Sequence, residues 1–186
     1  MKKIFAVIAL LSFVTLANAE SKTEEIEYSH NGTKLKGYLA YDDSKLGKRP
    51  GVIVVHEWWG HNDHARNRAK MLAQAGYTAL ALDMYGSGKL ANHPKKAGEF
   101  MNAAFSNWPD SQARYNKAME VLKEHKTVDA TSIGSIGFCF GGAVSIKIVD
   151  SGSGVPTTYR NLIFDAGFTT KSRGWGMGLA LVKRIV

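Results

Sequence analysis

The period of apolar and polar positions changes several times along the chain, and those changes mark out its elements. From Glu24 to His30 and from Thr33 to Ala40, apolar and polar residues alternate as in a half-buried strand. Asn31-Gly32 between them accepts the positive φ angles of a tight turn, which predicts an antiparallel hairpin at a sheet edge. Gly51 to Val55 is instead a continuous β-branched run, the pattern of a strand buried on both faces of a parallel sheet. Ala65, Ala69, Met71, Leu72 and Ala75 then recur at helical spacing. Asp63 serves as the cap and Gly76 as the stop, so a helix is expected over 63–75.

Tyr77 to Leu82 reads as the next strand, and a loop carrying Gly86 and Gly88 follows it. Helical stretches are expected near Lys95 to Phe105 and Ser111 to His125, kept apart by Pro109, which cannot continue a helix and disfavours helix before it. Ser132 to Phe138 is a third buried strand. Strand, helix, strand, helix, strand is the order that builds a parallel sheet with helices on both faces, here preceded by an antiparallel hairpin. The expected class is therefore α/β. After Ala143, Val144 to Val149 alternates like a strand, 150–156 is a turn-rich loop, and Leu179 to Val186 suits a short final helix.

The first residues have a separate meaning. Met1-Lys2-Lys3, an uncharged apolar run from Ile4 to Leu16 and Ala17-Asn18-Ala19 fit a secretory signal peptide over 1–19 that is cleaved after Ala19. The run is short for a bilayer span, which needs about 20 apolar residues, so no stable membrane anchor is expected after cleavage. This places the protein in the periplasm or outside the cell. One globular unit follows, since the remaining length is too small for two ordinary domains.

The formal net charge of +8 is unevenly distributed. Lys2 and Lys3 belong to the leader, and residues 144–186 hold six Lys/Arg against Asp150 and Asp165. No basic stripe or nucleic-acid-reading motif accompanies the charge, which argues against a nucleic-acid partner. Cys139 is the single cysteine, which excludes an internal disulfide and calls for another account of the thiol.

That account lies in Gly137-Phe138-Cys139-Phe140-Gly141-Gly142, directly after a buried strand. It matches the G-x-nucleophile-x-G elbow with cysteine as nucleophile. A sharp strand-to-helix turn strains the nucleophile's backbone, and the flanking glycines permit the close backbone approach this requires. A helix starting there favours thiolate through its dipole, and the Phe140 N–H can face a developing oxyanion. The alternative is a structural cysteine among packing glycines.

With these motifs in view, the chain over about 24–143 resembles the dienelactone hydrolase family. The resemblance rests on Gly51-Val-Ile-Val-Val-His56-Glu57-Trp58-Trp59-Gly60, Leu82-Asp83-Met84-Tyr85-Gly86 and the Cys139 elbow, in the family's order. It implies a truncated α/β-hydrolase domain over 20–143, and hydrolysis of a small-molecule lactone or carboxylic ester through an acyl-cysteine, without metal or organic cofactor. It also implies that Glu57 sits beside the thiol and governs its ionisation, and that the N–H groups of Trp58 and Phe140 form the oxyanion hole. Independently, a carboxylate at the C-terminal end of a parallel strand stands where such sheets bind ligands. Trp58 and Trp59 suit either an apolar substrate pocket or the core. His56-Glu57-Trp58-Trp59-Gly60-His61 is not the zinc motif, which needs histidines four apart on a helix, and His61 and His64 read as surface histidines.

In α/β-hydrolases both partners of the nucleophile follow it in the chain. The six histidines here, His30, His56, His61, His64, His93 and His125, all precede Cys139, and only His56 lies at a strand end from which it could approach the thiol. Impaired activity is the expectation, because an unassisted thiol is mostly protonated near neutrality.

Residues 144–186 resemble something else, the C-terminal half of a histidine-kinase-type ATPase domain. Asp150-x-Gly152-x-Gly154, Ile163 to Lys171 and Gly174-x-Gly176-x-Gly178 match its first glycine box, phenylalanine box and second glycine box in order. The resemblance implies nucleotide binding, with phosphate held at a helix N-terminus. The junction is locally inconsistent. An elbow demands a helix after Gly141, whereas Val144, Ile146, Ile148 and Val149 are β-branched and each costs about half a kcal/mol in a helix. A fusion of two unrelated fragments is the expected cause.

Overall fold

A computed structural model describes residues 21–150. Nine elements follow one another: β1 (Lys22–His30), β2 (Thr33–Tyr41), β3 (Arg49–Val55), α1 (Asp63–Gln74), β4 (Thr78–Leu82), α2 (Pro94–Ser106), α3 (Trp108–Glu124), β5 (Val128–Gly137) and α4 (Phe140–Asp150). The strands form one sheet in the order β1-β2-β4-β3-β5. β1 and β2 pair antiparallel through the predicted turn, with Asn31 at φ 46° and Gly32 at 73°, and β2 pairs antiparallel with β4. β4, β3 and β5 are parallel. The class read from the sequence is the class observed.

Alternation along the strands sorts side chains by size onto two faces. Ala40, Val52, Val54, Ala79 and Ala81 meet Ala65, Ala69 and Ala73 of α1, so small side chains on both sides bring that helix close to the sheet. Leu35, Leu39, Ile53, Val55, Leu80 and Leu82 face the other way, onto Tyr115, Ala118 and Leu122 of α3 and onto Phe140 and Val144 of α4. Among the described residues, no helix is long and apolar enough to cross a membrane.

Several boundaries differ from those predicted, each for a local reason. Asn62, not Asp63, caps α1, its side chain accepting the Ala65 N–H. Pro109 does not separate the two helices but lies in the first turn of α3, where a missing N–H has no cost. β5 begins at Val128, and its register against β3 shifts between Pro50 and Gly51. Pro50 has no N–H to give the ladder, and Asp129 closes a local turn by accepting the Thr131 N–H at 3.0 Å.

The largest correction concerns 144–149, which is helix and not strand. Phe140, Val144 and Ile148 are spaced four apart, and all three pack on the core cluster of α3. Burial of that stripe, together with the hydrogen bond between Ser145 Oγ and Ser135 Oγ at 2.9 Å, outweighs the modest helix penalties of the β-branched residues. Asp150, expected to open both the 150–156 loop and the first glycine box, is the last residue of α4. The rest of that loop and box, the final helix, the second glycine box, the phenylalanine box and the leader lie outside the described residues.

Candidate active site

β5 ends at Gly137 and α4 starts at Phe140, leaving Phe138 and Cys139 to make the whole turn. Cys139 takes φ 53°, a left-handed conformation that costs a non-glycine residue about 1–3 kcal/mol. It persists because the surroundings enforce it. A β-carbon at Gly137 would collide with the Gly141 backbone, and one at Gly141 would collide with the carbonyls of Val55 and His56. The elbow is therefore pressed, backbone against backbone, onto the C-terminal end of β3. Gly141 N–H closes the turn on Phe138 O at 3.0 Å, and Ala143 N–H starts the helix on Cys139 O at 3.2 Å. The Cys139 side chain is exposed.

Register fixes what faces the elbow. Val55 pairs with Gly137, so Glu57 and Cys139 each stand two residues beyond the last rung of the same ladder. Glu57, Trp58, Cys139 and Phe140 thus share one end of the parallel strands. Glu57 and Trp58 are half-buried, and Trp58 packs partly against the core while its ring meets Trp59 with centroids 5.2 Å apart. Phe140 is the first residue of α4, and N–H groups in a helix's first turn have no intrahelical acceptor.

His56 was the one histidine the sequence left as a possible base, and its ring is occupied otherwise. It is buried; Nε2 accepts the Met84 N–H at 3.2 Å, which leaves the proton on Nδ1 to donate to Glu57 O at 2.6 Å. Burial holds the imidazole below the usual histidine range and so keeps it neutral. His56 ties the ends of β3 and β4 together, positioning Glu57 on one side and Tyr85 on the other. The tie is not announced by any motif; only a polar residue at the end of an otherwise apolar strand hinted at it.

Tyr85 closes the buried side of the site. Its ring contacts His56 at 4.7 Å and Phe140 at 5.4 Å between centroids, and its hydroxyl donates to Trp58 O at 3.3 Å. Burial first, and the charge of the nearby Cys139 second, push the phenol above the usual range. Asp83 holds the loop that carries Tyr85, one carboxylate oxygen accepting the N–H groups of Tyr85 and Gly86, each at 2.9 Å. Arg114 grips the same loop from α3 through the carbonyls of Met84 and Tyr85 at 3.0 and 3.1 Å. Behind Tyr85 lies a cavity of about 250 Å³ walled by Met84, Phe100, Ala104 and Arg114. Tyr85 lines it and Cys139 does not.

The other histidines are placed elsewhere. His30 pairs with Asp110 at 3.4 Å, His93 caps α2, and His125 bonds Thr127 at 2.8 Å. His64 is exposed and meets the Phe138 ring edge-on at 6.2 Å. His61, read as a surface residue, is in fact buried at 8% exposure, beside a cavity it shares with the loop 86–90. Among the described residues, no imidazole is hydrogen-bonded to the Cys139 sulfur, and no three His, Cys, Asp or Glu side chains converge as a metal site would require.

A parallel sheet with helices on both faces, an antiparallel flank and a strained cysteine at a strand-to-helix turn define an α/β-hydrolase fold. The family model for the dienelactone hydrolase family matches residues 35–159, across the Ala143 boundary, and the chain belongs to that family. It is 38% identical over 125 residues to Protein usf of Aquifex pyrophilus, covering 65% of this chain and 52% of that protein. The solved structure titled m3DLH superposes with a TM-score of 0.69 at 38% identity, covering 72% of this chain and 56% of that one. The chain thus spans about half the length of the curated relatives it matches. It is also similar to the sensor histidine kinase ZraS of Escherichia coli, 36% identical over 72 residues, which cover 39% of this chain and 14% of the kinase.

Proposed function

We propose that the protein is an exported hydrolase of small carboxylic esters or lactones that uses Cys139 as its nucleophile. The observation carrying this reading is the exposed, left-handed Cys139 just before α4, standing like Glu57 two residues beyond the last rung of the β3–β5 ladder. In the proposed reaction the Cys139 thiolate attacks the carbonyl carbon, and the N–H groups of Trp58 and Phe140 take the oxyanion. The C–O bond to the alcohol breaks, the alcohol leaves with a proton, and water then cleaves the thioester to give the carboxylic acid and the thiol. Glu57 acts beside the sulfur on its ionisation. No metal or organic cofactor enters.

Turnover is expected to be slow, since every histidine in the sequence precedes Cys139 and His56 is committed to two backbone partners. The test is hydrolysis of p-nitrophenyl acetate by the native chain and by Cys139→Ala. The native chain should show a burst of nitrophenol equal to the enzyme and a slow steady rate, and the alanine variant neither. Equal rates for the two would remove Cys139 from the reaction. Export is tested by the N-terminus of the protein secreted from a bacterial host, which should begin at Glu20; one beginning at Met1 opposes it.

A second reading concerns 144–186. The partial similarity to ZraS supports a histidine-kinase-type fragment, either a nucleotide binder or a non-functional fusion, while the dienelactone hydrolase match runs past Ala143 to residue 159 and opposes a junction as early as Ala143. ATP with magnesium at 100 times its dissociation constant should raise stability by about 2.7 kcal/mol if the fragment binds. No change in melting temperature favours the inert fusion.

A further inference from the structure

On the β2 side of β4, away from the elbow, a cavity of about 230 Å³ lies between Lys36, the start of α1 and the loop 86–90. Neither Glu57, Trp58, Cys139 nor Phe140 lines it. Two of its walls carry buried polar atoms with no hydrogen-bond partner, Nε2 of His61 and Nε of Arg66. Native proteins rarely leave such atoms unpaired, so a pair of them around one cavity calls for a ligand. We propose that this cavity binds a small oxyanion, a carboxylate or a phosphate, which accepts hydrogen bonds from Arg66 and His61.

The donor and acceptor balance sets the sign of the ligand. Arg66 Nε–H is a donor that does not lose its proton, and His61 offers a second donor in its Nε2–H tautomer. Lys36 and Lys89 add positive charge at the rim. Two carboxylates stand nearby, and both are engaged. Glu25 takes Lys36 at 2.7 Å and Arg66 Nη1 at 3.1 Å, on the opposite edge of the guanidinium from Nε. Asp83 accepts the N–H groups of Tyr85, Gly86 and Lys36. The unpaired side-chain atoms on the cavity are thus met by a group that brings acceptor oxygens. His56, the remaining titratable neighbour of His61, is already bonded at both ring nitrogens.

The experiment uses the whole unmodified chain, with inorganic phosphate and acetate as separate probes at ionic strength matched with chloride. His61 starts as an imidazole pushed down to about 4 by burial, so a bound anion should raise its titration midpoint saturably, read from its ring carbon-bound proton by NMR. Saturation by phosphate alone, by acetate alone or by both supports the site and identifies which oxyanion it takes. No saturable shift with either probe overturns it, the cavity then holding water only. Arg66→Gln should weaken binding at least tenfold and Arg66→Lys less, whereas unchanged binding in Arg66→Gln overturns the assignment. Should Arg66→Gln fail to fold, Lys89→Gln on the exposed rim should still weaken binding about threefold, and equal affinity there counts against the site. None of these readouts involves ester hydrolysis.

Discussion

β4 and β5 flank β3 on opposite sides and live in different surroundings. Every residue of β4 is buried, whereas in β5 only Val128 is fully so and the remainder is half-buried or exposed. The better-packed strand delivers the loop with Asp83 and Tyr85, and the less sheltered of the two delivers Cys139. Packing around β5 therefore does not explain the strained elbow. What enforces it is the backbone contact of Gly141 with Val55 and His56, borrowed from the neighbouring strand.

Replacing that contact should have the largest effect. Gly141→Ala sets a methyl against two carbonyls that cannot step aside, and a loss of about 3 kcal/mol or more is expected in urea unfolding. A neutral result would mean that the elbow is not seated on β3. Next, Leu80→Ala in β4 should cost about 3 kcal/mol and Ile136→Ala in β5 about 1 kcal/mol, because the cavity cost follows burial. Equal losses would erase the asymmetry between the two flanks.

Acid should act more gently, on the β4 side. His61 is held at about 4 against 6.5 unfolded, so its contribution is full above 6.5 and is lost as pH falls toward 4. The slope is at most about 1.4 kcal/mol per pH unit for this group. His56, also lowered by burial, adds a loss of the same sign. Stability measured between pH 7 and 4 should fall more in the native chain than in His61→Gln. The smallest effect belongs to Cys139→Gly, which relieves the left-handed strain and should stabilise by about 1 kcal/mol. Destabilisation instead would show that the side chain's contacts outweigh the backbone cost.

Sequence patterns gave away the hairpin, the buried strands β3 and β4 and the elbow because each is governed by local rules: the Asn31-Gly32 turn, β-branched runs, and glycines spaced about Cys139. β5, read as buried, is half-buried or exposed beyond Val128. α4 was misread for the converse reason. Val144 and Ile148 carry strand propensity, but their placement four residues apart beside Phe140 is rewarded only once α3 is in position, which is information spread over a long sequence separation. The start of α3 misled similarly, since Pro109 breaks a helix interior and suits its first turn equally well. The position of Glu57 just beyond the end of β3 was legible from the apolar run before it. The occupation of both His56 nitrogens was not, because its partners are backbone atoms of Met84 and Glu57, whose side chains carry no trace of the arrangement. Burial of His61 was likewise invisible, since residues with which it shares a cavity lie on β2 and beyond β4.

Because the chain contains one sulfhydryl and its fold displays that group at the surface, a maleimide dye can attach at a single address. The fluorophore would then report motion at the rim of the sheet without any prior mutagenesis. Labelling stoichiometry would equally count how many molecules in a preparation keep that rim open.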